Sequence, residues 1–236
     1  MVQLTPNMPY ITLRVRFIKR GSLQYISHLD LVRTMHKIIV RAGLPLWYTE
    51  GFNPKPKMIF AAPLSVGTES VCEYMDLRLV ERISEQEAKA RLNANMTDEM
   101  QVMEAYYPET KLTELKWLSY DIKIKTAGAD SSLAEKCEAL LLSDSVEVEK
   151  KIKDKKGDTK LVNIRPLIKN AKCSFDGEHI LLRTTLSADA SSFLNPEYII
   201  KALRSYLGVL SDSCIINEYY SVLRTDAYKE DMTEFR

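Results

Sequence analysis

The chain has 236 residues, 45% of them hydrophobic and 28% charged, with a formal net charge of +1. That balance excludes a disordered or collagenous chain and a globally basic nucleic-acid binder, and the length fits one or two globular domains. No apolar run approaches the roughly 18 residues of a membrane span, and residues 1–7 lack a signal peptide's basic and apolar regions, so a cytoplasmic protein without membrane contact is expected.

The first strong pattern is Tyr10 to Lys19, where Ile11, Leu13, Val15 and Phe17 alternate with Thr12, Arg14 and Arg16. Period two over that length predicts a strand with one buried face. Beyond Gly21, Ser27-x-x-Asp30 reads as a capping box opening a helix whose apolar stripe is Leu31, Met35, Ile38 and Ala42. Gly43 and Pro45 end it. Short extended pieces are expected at 46–49 and 58–62, on either side of Gly51-Phe52-Asn53-Pro54-Lys55-Pro56-Lys57. A strand at 71–80, a helix capped by Ser84 and a strand at 100–107 complete a β-α-β-β-α-β order.

The order then repeats. A strand is expected at 117–125, a helix behind Ser132-x-x-Glu135, and a strand at 146–152 followed by a turn at Lys155-Lys156-Gly157-Asp158. Further strands are expected at 161–168 and 180–186, with 171–175 as a hairpin partner through Asp176-Gly177. Asn195-Pro196 starts a helix that Gly208 ends, and a strand at 215–223 closes the chain. The fold class expected is α+β, as two tandem ferredoxin-like units with antiparallel sheets, residues 1–112 and 113–236.

Charge is uneven along this frame. Residues 1–60 carry nine Lys or Arg against two acids, and residues 61–115 carry eleven acids against five bases. Lys150, Lys151, Lys153, Lys155, Lys156 and Lys160 form a second basic cluster. Local basic faces on a neutral chain suit an anionic ligand such as RNA.

Cys72, Cys137, Cys173 and Cys214 are 65, 36 and 41 residues apart, without the close spacing that gathers thiolates on a metal or cluster. With only His28, His36 and His179 besides, no metal site and no cofactor are expected in this chain. Glu69, Glu73 and Asp76 make a poor chelate, since Glu73 and Asp76 face opposite sides of a strand.

Ser27-His28-Leu29-Asp30-Leu31 with Arg33, Arg41-Ala42-Gly43-Leu44-Pro45, the Gly51–Lys57 loop, and Ala62-Pro63-Leu64-Ser65-Val66-Gly67 through Glu73 to Asp76 carry a resemblance. On these motifs the chain is similar to the radical-SAM-linked proteins, a bacterial family of unknown function found fused to or beside radical SAM proteins. Lys55-Pro56-Lys57 stands where many of those proteins carry histidine and arginine around the proline. The resemblance implies a radical SAM protein as partner, itself holding the iron–sulfur cluster and S-adenosylmethionine, and a role in RNA modification or processing.

Two uses of the marked residues follow. As an accessory RNA- or anion-binding protein, the chain would use the helix start at Ser27 together with Gly51, Phe52, Asn53, Lys55 and Lys57. As an enzyme on RNA or a phosphorylated substrate, it would use His28 as general base, Asp30 to orient it and Arg33 to hold an anionic group. A protein-only adaptor is the third reading, and a non-catalytic partner of a radical SAM enzyme is the one expected.

Overall fold

The computed structural model describes residues 9–151, 159–211 and 217–236. It is a mixed α+β protein of antiparallel strand pairs with four α-helices among the described residues. The chain divides into two compact units, Met1–Glu114 with Arg236, and Leu115–Phe235. No helix among the described residues is long and apolar enough to cross a membrane.

In the first unit, β1 (Ile11–Lys19) pairs with β3 (Thr68–Leu79) on one side and β4 (Val102–Tyr106) on the other. Strand β2 (Met58–Phe60) adds to β3, giving the order β4-β1-β3-β2. The alternation read in β1 is real: Leu13, Val15 and Phe17 are fully buried. They face α1 (His28–Arg41), which buries Leu31, Met35, Ile38 and Ile39, and α2 (Glu85–Asn93), which buries Ala88 and Leu92. Ala42, the last residue of the expected stripe, is buried as well.

Two features of this unit were not legible beforehand. Arg14, on the other face of β1, is completely buried and lies directly opposite Asp76 of β3. Its guanidinium donates to both Asp76 oxygens, at 2.7 and 3.1 Å, and also to Thr110. Between β1 and α1 the chain makes a 3₁₀ turn, Gly21–Tyr25, where Gly21 N–H donates to Glu69 at 2.7 Å and Ser22 N–H to Glu99 at 3.0 Å. Gly21 has φ of +58°, and a β-carbon there would fall on the Glu99 carboxylate.

In the second unit, β5 (Trp117–Lys125) pairs with β9 (Ile180–Ser187) and β10 (Tyr219–Tyr228), and β8 (Ile168–Phe175) flanks β9. The order is β10-β5-β9-β8, and α3 (Ser131–Leu141) packs against β8. A separate hairpin, β6 (Glu147–Lys151) with β7 (Thr159–Asn163), precedes β8, and α4 (Glu197–Leu207) precedes β10.

Several expected boundaries shift for local reasons. The α3 cap is Asp130, whose carboxylate accepts from Leu133 N–H at 2.7 Å, so Ser132 lies inside the helix it was expected to open. The single strand expected at 161–168 is broken by a 3₁₀ turn at Arg165–Leu167, where Pro166 cannot donate to a ladder. Strand β10 runs five residues past the expected end at Leu223. Asn195 does cap α4, accepting from Glu197 N–H at 3.0 Å, and Gly208 closes it in the left-handed conformation. The lysine-rich turn at 155–158, Lys153, Cys214 and the first residues of the 215–223 strand lie outside the described residues.

Candidate functional site

Helix α1 begins as its sequence requires. Ser27 Oγ accepts from Asp30 N–H at 3.2 Å and donates to the Asp30 carboxylate at 2.8 Å. Arg33 Nη1 donates to the other Asp30 oxygen at 3.1 Å. The Ser27 hydroxyl first, and then Arg33, hold the Asp30 carboxyl below its ordinary value. Asp30 therefore spends its hydrogen bonds on Ser27 and the exposed Arg33 rather than on orienting His28. Its carboxylate also sits where the positive end of the helix would otherwise receive an external anion. The anion-binding reading accordingly shifts from the helix start to the loop.

His28 is half-buried and meets Phe60 of β2 edge to face, with ring centroids 5.3 Å apart. Phe60 in turn meets Phe17 of the core at 6.3 Å. The imidazole is thus tied through one ring to the interior of the unit. Of the three residues assigned to catalysis, two form a surface ion pair and the third packs on an aromatic ring.

The Gly51–Lys57 segment is the tip and return of a narrow arm. Lys57 N–H donates to Trp47 C=O at 3.1 Å, Thr49 N–H to Lys55 C=O at 2.9 Å, and Lys55 N–H to Thr49 Oγ1 at 3.1 Å. A bridge between Tyr48 and Pro56 lies between these bonds, and Pro56 is buried. The arm is rooted in the sheet, since Trp47 donates to Arg78 C=O and Arg78 donates to Lys57 C=O. Gly51, Phe52, Asn53 and Pro54 project from it, all exposed. Gly51 has φ of +119°, which a side chain disfavours. Phe52 has a relative exposure of 113%, so its ring touches essentially nothing. It does not anchor the loop on the core, and Pro56 is the residue of the segment that is buried.

Lys55 and Lys57 are exposed on the returning side of the arm. Sequence spacing gave no sign that Lys55 lies close to His36, yet its positive charge helps lower the His36 pKa, after the larger effect of burial. Phe60 of β2 thus meets His28, while the charge of Lys55 is felt at His36, eight residues or about 12 Å further along α1.

This proximity is measurable. A histidine with a depressed pKa disfavours its charged form in the folded state. Its cost to stability is complete below the folded pKa and disappears as pH rises past the ordinary value of 6.5. Lys55→Glu replaces repulsion by attraction, so the His36 ring signal in a proton NMR titration should move its midpoint upward. An unmoved midpoint would separate the arm from α1.

Among the described residues no group of three or more His, Cys, Asp or Glu side chains is placed to hold a metal ion. Residues 12–196 match the family described as an uncharacterized protein conserved in bacteria, DUF2344. The chain belongs to the DUF2344 family. The matched span contains Ser27, His28, Asp30, Arg33 and the whole Gly51–Lys57 arm of this DUF2344 protein. No curated protein matches the chain in sequence. A chain in the crystal structure of a Cbf5–Nop10–Gar1 complex is similar, with a TM-score of 0.48 and 13% identity over 93% of this chain. The DUF2344 chain spans 50% of that protein's length. An unknown protein from Galdieria sulphuraria has a TM-score of 0.25 and 8% identity, over 92% of this chain and 99% of its own.

Proposed function

We propose that this DUF2344 protein is an accessory, non-catalytic RNA-binding protein that presents single-stranded RNA to a radical SAM partner through the Gly51–Lys57 arm. The observation that carries the reading is the fully exposed Phe52 ring on a hydrogen-bonded arm with Lys55 and Lys57 beside it. An aromatic face with adjacent cations stacks a base and meets its phosphates without needing a particular sequence. Holding the ring out in advance lowers the ordering cost of that contact.

The radical SAM partner enters from the motifs in residues 14–76 that resemble radical-SAM-linked proteins. A radical SAM centre needs three gathered thiolates, which the cysteine spacing does not provide, so that chemistry belongs to the other polypeptide. The framework we read is a pair of ferredoxin-like units. The orders β4-β1-β3-β2 and β10-β5-β9-β8 are what a β-α-β-β-α-β chain gives on closing one antiparallel sheet, with the β6–β7 hairpin inserted in the second.

Fluorescence anisotropy with a labelled single-stranded RNA of about 12 nucleotides tests the reading. Phe52→Ala should weaken binding by about 5- to 100-fold, the range of one lost base–aromatic stack. Lys55→Glu/Lys57→Glu should weaken it further and reduce the salt slope by about 1.4, the value for two phosphates of a single strand. Affinity indifferent to both changes would remove RNA from the arm. Pull-down of a radical SAM protein that survives the charge reversal, with no RNA recovered, would leave an adaptor.

A further inference from the structure

The second unit carries a cavity that the arm does not involve. Two cross-strand rows of polar residues border it. One runs from Asn170 through Thr185 and Ser119 to Asp226, each directly opposite the next in register across β8, β9, β5 and β10. The neighbouring row runs Lys172, Arg183, Asp121. The alternate residues Leu118, Tyr120 and Leu182 are buried on the opposite face.

The lining leaves about 710 Å³, the size of a small-molecule site. Ser119 and Thr185 are 7% and 3% exposed and hydrogen-bond to each other at 2.7 Å. Both outer strands shift register beside them, between Ile168 and Asn170 and between Arg224 and Asp226. The second shift inserts Thr225 into the lining, and such bulges re-aim side chains toward sites. Tyr228 and Met232 form a further wall. Met232 holds φ of +64°, a conformation that non-glycine residues seldom adopt outside constrained sites.

The lining chemistry selects the ligand. Three carboxylates, Asp121, Glu138 and Asp226, stand against two cations, Lys172 and Arg183, so a bare polyanion is disfavoured. Arg183 is forked onto Asp121 at 2.9 and 3.3 Å, which fixes its plane at the rim. Asp226 accepts only, as recognition of a vicinal diol requires. Tyr228 with Met232 offers an apolar wall to a planar base, and Lys172 with Arg183 a place for one phosphate.

We propose that this cavity binds a single ribonucleoside monophosphate. The proposal goes beyond the RNA reading and stands without it, because residues of the second unit alone line the cavity.

Isothermal titration of the full chain with each of the four common ribonucleoside 5′-monophosphates tests it. At least one should bind with one-to-one stoichiometry, and its 2′-deoxy counterpart should bind more weakly. Asp226 is exposed, so Asp226→Asn keeps the fold; with Asn170→Leu, it should lower affinity about tenfold, as expected for losing a hydrogen bond to a charged group. No saturable binding up to about 1 mM, or binding unchanged in both variants, overturns the proposal. The Lys55→Glu/Lys57→Glu chain separates the two sites. Retained nucleotide binding there supports the cavity, and lost binding assigns the nucleotide to the arm.

Discussion

Asp76→Ala should lower the unfolding free energy by about 3–5 kcal/mol in urea denaturation, one of the two largest single-residue effects expected in this protein. The reason is the partner left behind. Arg14 is fully buried and its guanidinium makes two of its bonds to the Asp76 carboxylate. Thr110 supplies two further acceptors, both neutral. Removing the carboxylate takes away the acceptor of two buried guanidinium bonds where water cannot replace it, whereas removing both charges removes that demand together with its answer. The double change Arg14→Met/Asp76→Leu should therefore fall within about 1.5 kcal/mol of the parent, as volume-conserving exchanges do. A double variant as unstable as Asp76→Ala would mean that the pair itself, and not the unmatched loss of one partner, carries the stability.

Phe17→Ala should cost a similar amount, about 3–5 kcal/mol, by the cavity it leaves under β1. Its consequence differs, because Phe17 meets Phe60 and Phe60 meets His28. The ring currents of Phe60 and the chemical shifts of His28 should change together in the folded variant. Asp76→Ala, whose carboxylate lies on the other face of the sheet, should leave the His28 shifts in place. Proton NMR on the two variants at matched native population checks this. Identical His28 perturbation in both would mean global loosening rather than a ring-to-ring connection.

Wherever a residue's environment follows from its near neighbours, the sequence was readable. The alternation from Leu13 to Phe17 and the stripe Leu31, Met35, Ile38 are local periodicities, and both faces are buried as read. Ser27 and Asn195 cap helices because their side chains reach amides two or three residues away. What escaped depends on distant partners. Arg14 reads as a solvent residue of a half-buried strand, and nothing nearby in sequence reveals Asp76, 62 residues on. Asp130 and Ser132 are both plausible caps, and only the hydrogen bond to Leu133 N–H separates them.

The site divides in the same manner. Gly51, the two prolines and the lysines announced a turn with positive charge, and the arm is that turn. Whether Phe52 packs inward or projects was undecidable from residue type, since phenylalanine serves both ends. The same limit hid the effect of the Lys55 charge on His36, which depends on residues 19 apart in the chain.

The bare ring at the tip of the arm also sets a condition on the free protein. An apolar group presented on a stalk invites the same group on a second molecule, and the surrounding charges are what keep two tips apart. On that physics Lys55 and Lys57 would act as spacers between molecules of the free protein. Replacing them with alanine would confuse lost RNA contact with clumping in the tube. Replacing them with glutamate keeps the molecules mutually repelling, which makes charge reversal, and not neutralisation, the sound way to interrogate the arm.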